Sequence, residues 1–132
     1  METEFFAHRG GSAVNLGNTL TAFRYAFELG IGVEADVRRC RDALVITHCQ
    51  QAGGDAISSY ALEDLRQFAV RPHGTLEWCP ADVHGLAVGR VPTLHELLRL
   101  WQRYPIAGRL LLDVKEAGLI DKVAQVVVEA AN

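Results

Sequence analysis

Apolar and polar positions repeat with two different periods along this chain, and the changes of period predict β-strands separated by α-helices. Short apolar runs rich in aromatic or β-branched residues predict strands at residues 4–8, 31–37, 43–48 and 110–115. Helical spacing predicts helices at residues 18–30, 60–68, 92–101 and 120–131. This alternation favours parallel strands joined by right-handed helical crossovers, in either an open α/β sheet or a (βα) barrel.

Helix start and stop signals support three of these helices. Gly30 is expected to close the first helix, and Ser59 is a candidate N-cap for the second. Thr93 is followed three residues later by Glu96, which is the spacing of a capping box. Residues 50–59 are expected to form a loop, and residues 71–89 a long loop or insertion.

Composition narrows the class of protein. The chain has 132 residues, of which 49% are apolar, with a formal net charge of -3, so we expect residues 1–132 to form one soluble globular domain. Nucleic-acid binding is not expected because the sequence has no basic excess, whereas small anionic substrates remain compatible with it. No apolar run reaches the length of a transmembrane helix.

The N-terminus and the cysteines indicate a compartment. Residues 1–4 are acidic and lead directly into a strand-like segment, unlike a signal peptide, so a cytoplasmic location is expected. Cys40, Cys49 and Cys79 are odd in number and lack CxxC spacing, which indicates neither a disulfide framework nor a thiolate zinc site.

Acidic residues on two predicted strands are the sharpest chemical signal. Glu34 and Asp36 project to one face of a strand, roughly 6 to 7 Å apart, where they could bind one hard cation such as Mg²⁺ or Ca²⁺, or simply form a solvated surface. Asp113 and Lys115 share a strand face in the same way. They form either a structural ion pair or a third metal ligand beside a phosphate-binding ammonium.

Two histidines end predicted strands. His8 and His48 could transfer protons on either side of a metal, or serve as structural residues. Arg9 could bind phosphate or be a surface charge. Cys49 adjoins His48, but adjacent strand residues point to opposite faces, so the two make a poor nucleophile–base pair.

Six segments, taken in order and spacing, resemble the glycerophosphodiester phosphodiesterase family. They are Ala7-His8-Arg9-Gly10, Gly17-Asn18-Thr19-Leu20-Thr21-Ala22-Phe23, Gly32-Val33-Glu34-Ala35-Asp36-Val37, Val45-Ile46-Thr47-His48, Val91-Pro92-Thr93-Leu94 and Leu112-Asp113-Val114-Lys115. The resemblance implies a (βα)8 TIM-type barrel that binds one divalent cation, Mg²⁺ or Ca²⁺. It also implies a phosphoric diester hydrolase that converts glycerophosphodiesters to an alcohol and glycerol 3-phosphate.

The resemblance assigns a role to each matching residue of the site. It implies His8 and His48 as the acid/base pair, Glu34, Asp36 and Asp113 as metal ligands, and Arg9 and Lys115 as phosphate-binding residues. Three positions depart from the family pattern: Gly17 and Asp113 each replace a glutamate, and Cys49 replaces an aspartate. The Asp113-x-Lys115 arrangement also resembles the related sphingomyelinase D enzymes of spider venom.

Length is the largest departure from the family. A complete barrel takes about 250 residues, so the resemblance covers only the N-terminal half. We therefore expect a truncated or partial barrel, either a fragment or a half-barrel that forms a homo-oligomer to cover its open edges. The alternative to an enzyme is an inactive half-barrel that binds a metal or a phosphodiester and acts as an assembly module.

Overall fold

The structure is a computed structural model, and it describes residues 6–10, 17–80 and 89–131. The strands are β1 (Phe6–His8), β2 (Gly32–Arg39), β3 (Leu44–Ile46), β4 (Gln51–Ala52), β5 (Asp55–Ala56), β6 (Phe68–Val70), β7 (Leu76–Trp78) and β8 (Leu110–Val114). The helices are α1 (Leu20–Glu28), α2 (Leu62–Leu65), α3 (Leu94–Gln102) and α4 (Ile120–Ala130). No helix among the described residues is long and apolar enough to cross a membrane.

A four-stranded sheet centred on β2 organises the fold. β1 and β8 lie parallel to β2, whereas β3 turns back and pairs with the last part of β2 in antiparallel register. Two separate hairpins, β4–β5 and β6–β7, follow β3 along the chain. Because β1, β2 and β8 run in the same direction, their carboxyl ends meet at one edge of the sheet.

The core lies against one face of β2. Val33, Ala35 and Val37 alternate along the strand and are completely buried, as the period of two predicts. Phe23 and Phe27 of α1 belong to the same apolar cluster and are also completely buried. Burying each such side chain stabilises the fold by about 1.5–3 kcal/mol. The opposite face of β2 is thereby left for polar residues.

Helix ends follow the expected signals at α1 and α3. The side chain of Thr19 accepts a hydrogen bond from the backbone N–H of Ala22, which places the N-cap of α1 one residue after the predicted start at Asn18. Thr93 and Glu96 form the predicted capping box reciprocally. The helix predicted at residues 120–131 is confirmed as α4, on which Val123 is buried and Val127 is 36% exposed.

The prediction of one helix over residues 60–68 is wrong at its end. α2 has four residues, and Phe68 begins a strand because it pairs with Trp78 across the β6–β7 hairpin. Ser59 does not cap α2; the Asp42 side chain instead accepts a hydrogen bond of 2.8 Å from the backbone N–H of Leu62. The loops expected at residues 50–59 and 71–89 are also wrong in part, because the first contains β4 and β5 and the second contains β7. Residues 81–88 of the second loop lie outside the described residues.

Candidate active site

Three carboxylates meet on the neighbouring parallel strands β2 and β8. Glu34 and Asp36 project from the face of β2 opposite the apolar core, and Asp113 of β8 is the register partner of Asp36. Each residue offers an oxygen, and the three oxygens lie within 4.8 Å of one another. The structure therefore brings together the three acids that the sequence singled out.

This donor set fits a hard divalent cation. Carboxylate oxygens are the preferred ligands of Mg²⁺ and Ca²⁺, and like charges this close repel unless a positive charge lies among them. The Asp36 side chain is 2% exposed, so its charge needs compensation most, whereas the side chain of Asp113 is 42% exposed. The cluster thus combines the buried carboxylate of Asp36 with the more accessible carboxylate of Asp113.

Two cationic side chains already contact these acids. Arg9 Nε lies 3.2 Å from Asp36 Oδ2. Lys115 Nζ lies 2.7 Å from Asp113 Oδ2 and 3.4 Å from Asp36 Oδ1. The hydrogen bond to Asp113 is the main cause of a raised pKa at Lys115, with a smaller contribution from Asp36. Arg9 and Lys115 therefore balance part of the negative charge of the carboxylate cluster.

Asn18 belongs to the site, although the sequence reasoning assigned it no role. Its Nδ2–H donates a hydrogen bond of 2.9 Å to Asp36 Oδ2, and its Oδ1 accepts one of 3.4 Å from the Asp36 backbone N–H. Asn18 is 5% exposed and adopts a left-handed backbone with φ 58°. A lone asparagine between Gly17 and Thr19, a combination typical of a left-handed turn, is the signal that could have revealed it.

The two candidate histidines lie at or just after the ends of different strands, β1 and β3. His8 Nε2 is 3.4 Å from Glu34 Oε1, and the His8 side chain is 61% exposed. His48 follows β3 and is placed by its neighbour Thr47, whose backbone N–H donates to the carbonyl of Asp36. Desolvation, followed by the positive charge of Arg9, lowers the pKa of His48, while Asp36 opposes this effect. A lowered pKa favours the neutral imidazole at neutral pH.

A cavity of about 310 Å³ opens beside His48, which is within the range of small-molecule sites. Its lining combines groups of the site with small and apolar residues, namely Arg9, Gly17, Asn18, Ile46, Thr47, His48, Val70 and Gly74. The thiol of Cys49 donates a hydrogen bond to the carbonyl of Gly74, which lines this cavity. Burial raises the pKa of Cys49, which works against a thiolate nucleophile.

Comparisons with known proteins agree with this geometry. Residues 8–130 match the model of the glycerophosphoryl diester phosphodiesterase family. A glycerophosphodiester phosphodiesterase of Caldanaerobacter subterraneus is 30% identical over 113 residues, a match that covers 76% of this chain and 41% of that protein.

Solved structures show the fold. A glycerophosphodiester phosphodiesterase from Parabacteroides distasonis matches with a TM-score of 0.74 and 22% identity, over 97% of this chain and 52% of that one. An Oleispira antarctica phosphodiesterase in complex with the product sn-glycerol-3-phosphate matches with a TM-score of 0.68 and 26% identity, over 97% and 51%. The expected TIM-barrel fold class is thus confirmed as a partial barrel, and the chain spans about half the length of these structures.

Proposed function

The chain belongs to the glycerophosphoryl diester phosphodiesterase family, and from this premise we propose that it carries the site for hydrolysing glycerophosphodiesters to an alcohol and glycerol 3-phosphate. The observation that carries the proposal is the convergence of three carboxylates, with His8 against one of them and His48 beside the adjoining cavity. A phosphodiesterase needs positive charge on the phosphoryl oxygens and groups that move protons at the attacking and leaving oxygens. The site offers residues for each task.

In this proposal Glu34, Asp36 and Asp113 hold one divalent cation, Mg²⁺ or Ca²⁺. When bound, the cation would polarise a phosphoryl oxygen and offset charge that develops in the transition state. Arg9 and Lys115 would bind the remaining phosphoryl oxygens, Arg9 through its planar guanidinium and Lys115 as a point charge. Both cations already lie at the carboxylates, so a phosphate at the cluster is within their reach.

The two histidines divide the proton transfers. His48 acts as the base, because its lowered pKa keeps a free ring nitrogen near neutral pH to accept the proton of an attacking water. His8 acts as the acid that gives a proton to the leaving alcohol, and Glu34 Oε1, 3.4 Å from its Nε2, orients the imidazole. Asn18 positions Asp36 through two hydrogen bonds and does not itself move a proton.

A second candidate function rests on the open sheet. Among the described residues, β1 and β8 each pair only with β2, and Leu111 of β8 is 49% exposed. Exposed strand edges invite pairing with another chain. Residues 1–132 would in this case be a partial domain that binds a metal or phosphodiester without turnover, and associates with a further copy. Sedimentation of the isolated chain as a monomer would argue against this association.

The experiment that tests the proposed function measures alcohol release from glycerophosphodiesters. We expect release with Mg²⁺ or Ca²⁺ and none in excess EDTA. His8→Ala and His48→Ala should lower kcat by about 100-fold or more, the usual scale of acid/base catalysis. His95→Ala is the matched control, because His95 lies exposed on α3.

Calcium titration and turnover, measured together on Glu34→Ala and on the unmodified chain, distinguish the hydrolase from the binding module. We expect this variant to lose both metal affinity and turnover. Unchanged turnover in His8→Ala and Glu34→Ala would refute the proposed catalytic site. Tight metal binding by the unmodified chain, with no turnover of any diester, would instead favour the binding module.

A further inference from the structure

A second cavity of about 340 Å³ adjoins the carboxylate cluster. It shares Lys115 with the cluster and extends past Arg38, Arg39 and Glu116, with Gln50 and Ser58 supplying further polar groups. Because Lys115 Nζ contacts Asp113 and Asp36, this cavity begins one side chain away from the proposed reaction centre. It is distinct from the cavity beside His48, which is lined by other residues.

Arg38 is placed by the period of β2. It lies two residues beyond Asp36 on the same strand, so the alternation directs it to the same face, about 7 Å further along. Its Nε–H donates a hydrogen bond of 3.2 Å to the carbonyl of His48, which holds the guanidinium at the cavity. Among the described residues, neither Arg38 nor Arg39 forms an ion pair with a carboxylate.

The charges of this cavity are unbalanced. Lys115 is already paired with Asp113 and Asp36, so Arg38 and Arg39 provide the positive charge that remains for a ligand. Glu116 lines the same cavity, and its buried Oε2 has no hydrogen-bond partner among the described residues. A buried acceptor without a donor costs free energy, which a ligand that donates a hydrogen bond would recover.

We propose that this cavity binds the alcohol arm of the substrate and selects an arm that carries a carboxylate beside an ammonium group. The inference rests on the proposed function, since it takes the carboxylate cluster as the place of the phosphate. The guanidinium of Arg38 pairs with the carboxylate in a planar, charge-assisted geometry, and Glu116 accepts a hydrogen bond from the ammonium. A quaternary ammonium arm has no carboxylate for the guanidinium groups and no N–H for Glu116.

Two probes differ by the carboxylate alone: glycerophosphoserine and glycerophosphoethanolamine. Their dissociation constants are measured by calorimetry with Ca²⁺ present, in the His48→Ala background, where the proposed turnover is lowered about 100-fold or more. We expect the serine diester to bind about fivefold or more tightly, the scale of one partly exposed charge-assisted contact. Arg38→Gln and Arg39→Gln should each reduce this preference toward equality. Arg24→Gln removes the same charge from the exposed face of α1 and should leave the preference intact.

Equal binding of the two diesters, binding of neither, or a preference that survives both Arg38→Gln and Arg39→Gln would overturn the inference. Arg39 is exposed, so its variant keeps the test valid even if Arg38→Gln fails to fold. Turnover is then measured with Mg²⁺ and with Ca²⁺. Selective binding without hydrolysis of either diester would refute the proposed hydrolase while the binding preference stands, so the two failures are distinguishable.

Discussion

Replacing Asn18 tests how the buried carboxylate of Asp36 is held. Asp36 is 1% exposed and Asn18 is 5% exposed, so water cannot replace the hydrogen bonds that Asn18 makes to it. Asn18→Gly removes the side-chain donor and acceptor but keeps a residue that tolerates φ 58°. Asn18→Ala removes the same groups and adds backbone strain, because alanine disfavours the left-handed region.

The expected loss of stability follows from these two effects. The bond of 2.9 Å to a carboxylate is worth about 1.5–3 kcal/mol. The second bond, at 3.4 Å, is too long to add much. Asn18→Gly should therefore lower the free energy of unfolding by about 1.5–3 kcal/mol. The left-handed backbone should cost Asn18→Ala about 1 kcal/mol more.

Urea denaturation of the full chain at pH 7, followed by circular dichroism, measures both losses as shifts of the midpoint at constant slope. Gln125→Ala is the control, because Gln125 lies on the exposed surface of α4 and should change stability by no more than about 0.5 kcal/mol. The reasoning is refuted if both Asn18 variants stay within that margin. If Asn18→Gly and Asn18→Ala lower the free energy of unfolding equally, the hydrogen-bond argument stands and only the argument from left-handed backbone strain fails.

Three further predictions concern capping and pH. Thr93→Ala should lower the free energy of unfolding by about 1 kcal/mol in urea denaturation, because it removes half of the capping box. Asp42→Ala should also destabilise the chain, and this difference should shrink below pH 3.8, because the hydrogen bond from Leu62 lowers the pKa of Asp42 and is lost on protonation. The lowered pKa of His48 means that the unfolded chain binds more protons as pH falls below 6.5, so stability should fall between pH 7.5 and 5.5. His48→Gln should flatten that dependence in the same denaturation assay.

Each of these three has a discriminating comparison. Thr93→Ser keeps the hydroxyl and should retain most of the stability; a loss equal to that of alanine would argue against the cap. A difference between the unmodified chain and Asp42→Ala that grows on acidification would contradict the assigned hydrogen bond. An identical pH dependence with and without His48 would show that other groups dominate this range.

The predictions that succeeded depend on residues that are close together in the sequence. The period of two placed Glu34 and Asp36 on one face of β2, and Thr93 with Glu96 marked the start of α3. These signals depend on residues at most four positions apart, whose relative directions follow from strand or helix geometry. The grouping of Asp113 with Glu34 and Asp36 was implied by the family resemblance and did not follow from local geometry, which left an ion pair between Asp113 and Lys115 equally open.

Contacts between distant segments account for the predictions that failed. Residues 60–68 carry apolar positions at helical spacing, but Phe68 pairs with Trp78, and this pairing outweighs the local preference. At the start of α2 the backbone N–H of Leu62 donates its hydrogen bond to Asp42 and not to the predicted cap Ser59, because the β2–β3 turn brings the Asp42 carboxylate to Leu62. Neither partner lies within the window that a periodic pattern samples.

By itself the sequence determined strands β1, β2, β3 and β8, helices α1, α3 and α4, and the faces on which their charges lie, because these follow from backbone geometry over a few residues. It did not predict the β4–β5 and β6–β7 hairpins. Only the tertiary structure decided which charges meet. The parallel register of β8 on β2 set Asp113 beside Asp36, and the left-handed turn at Asn18 brought a neutral donor to the same carboxylate. Such choices depend on the packing of whole segments, which adjacent residues do not encode.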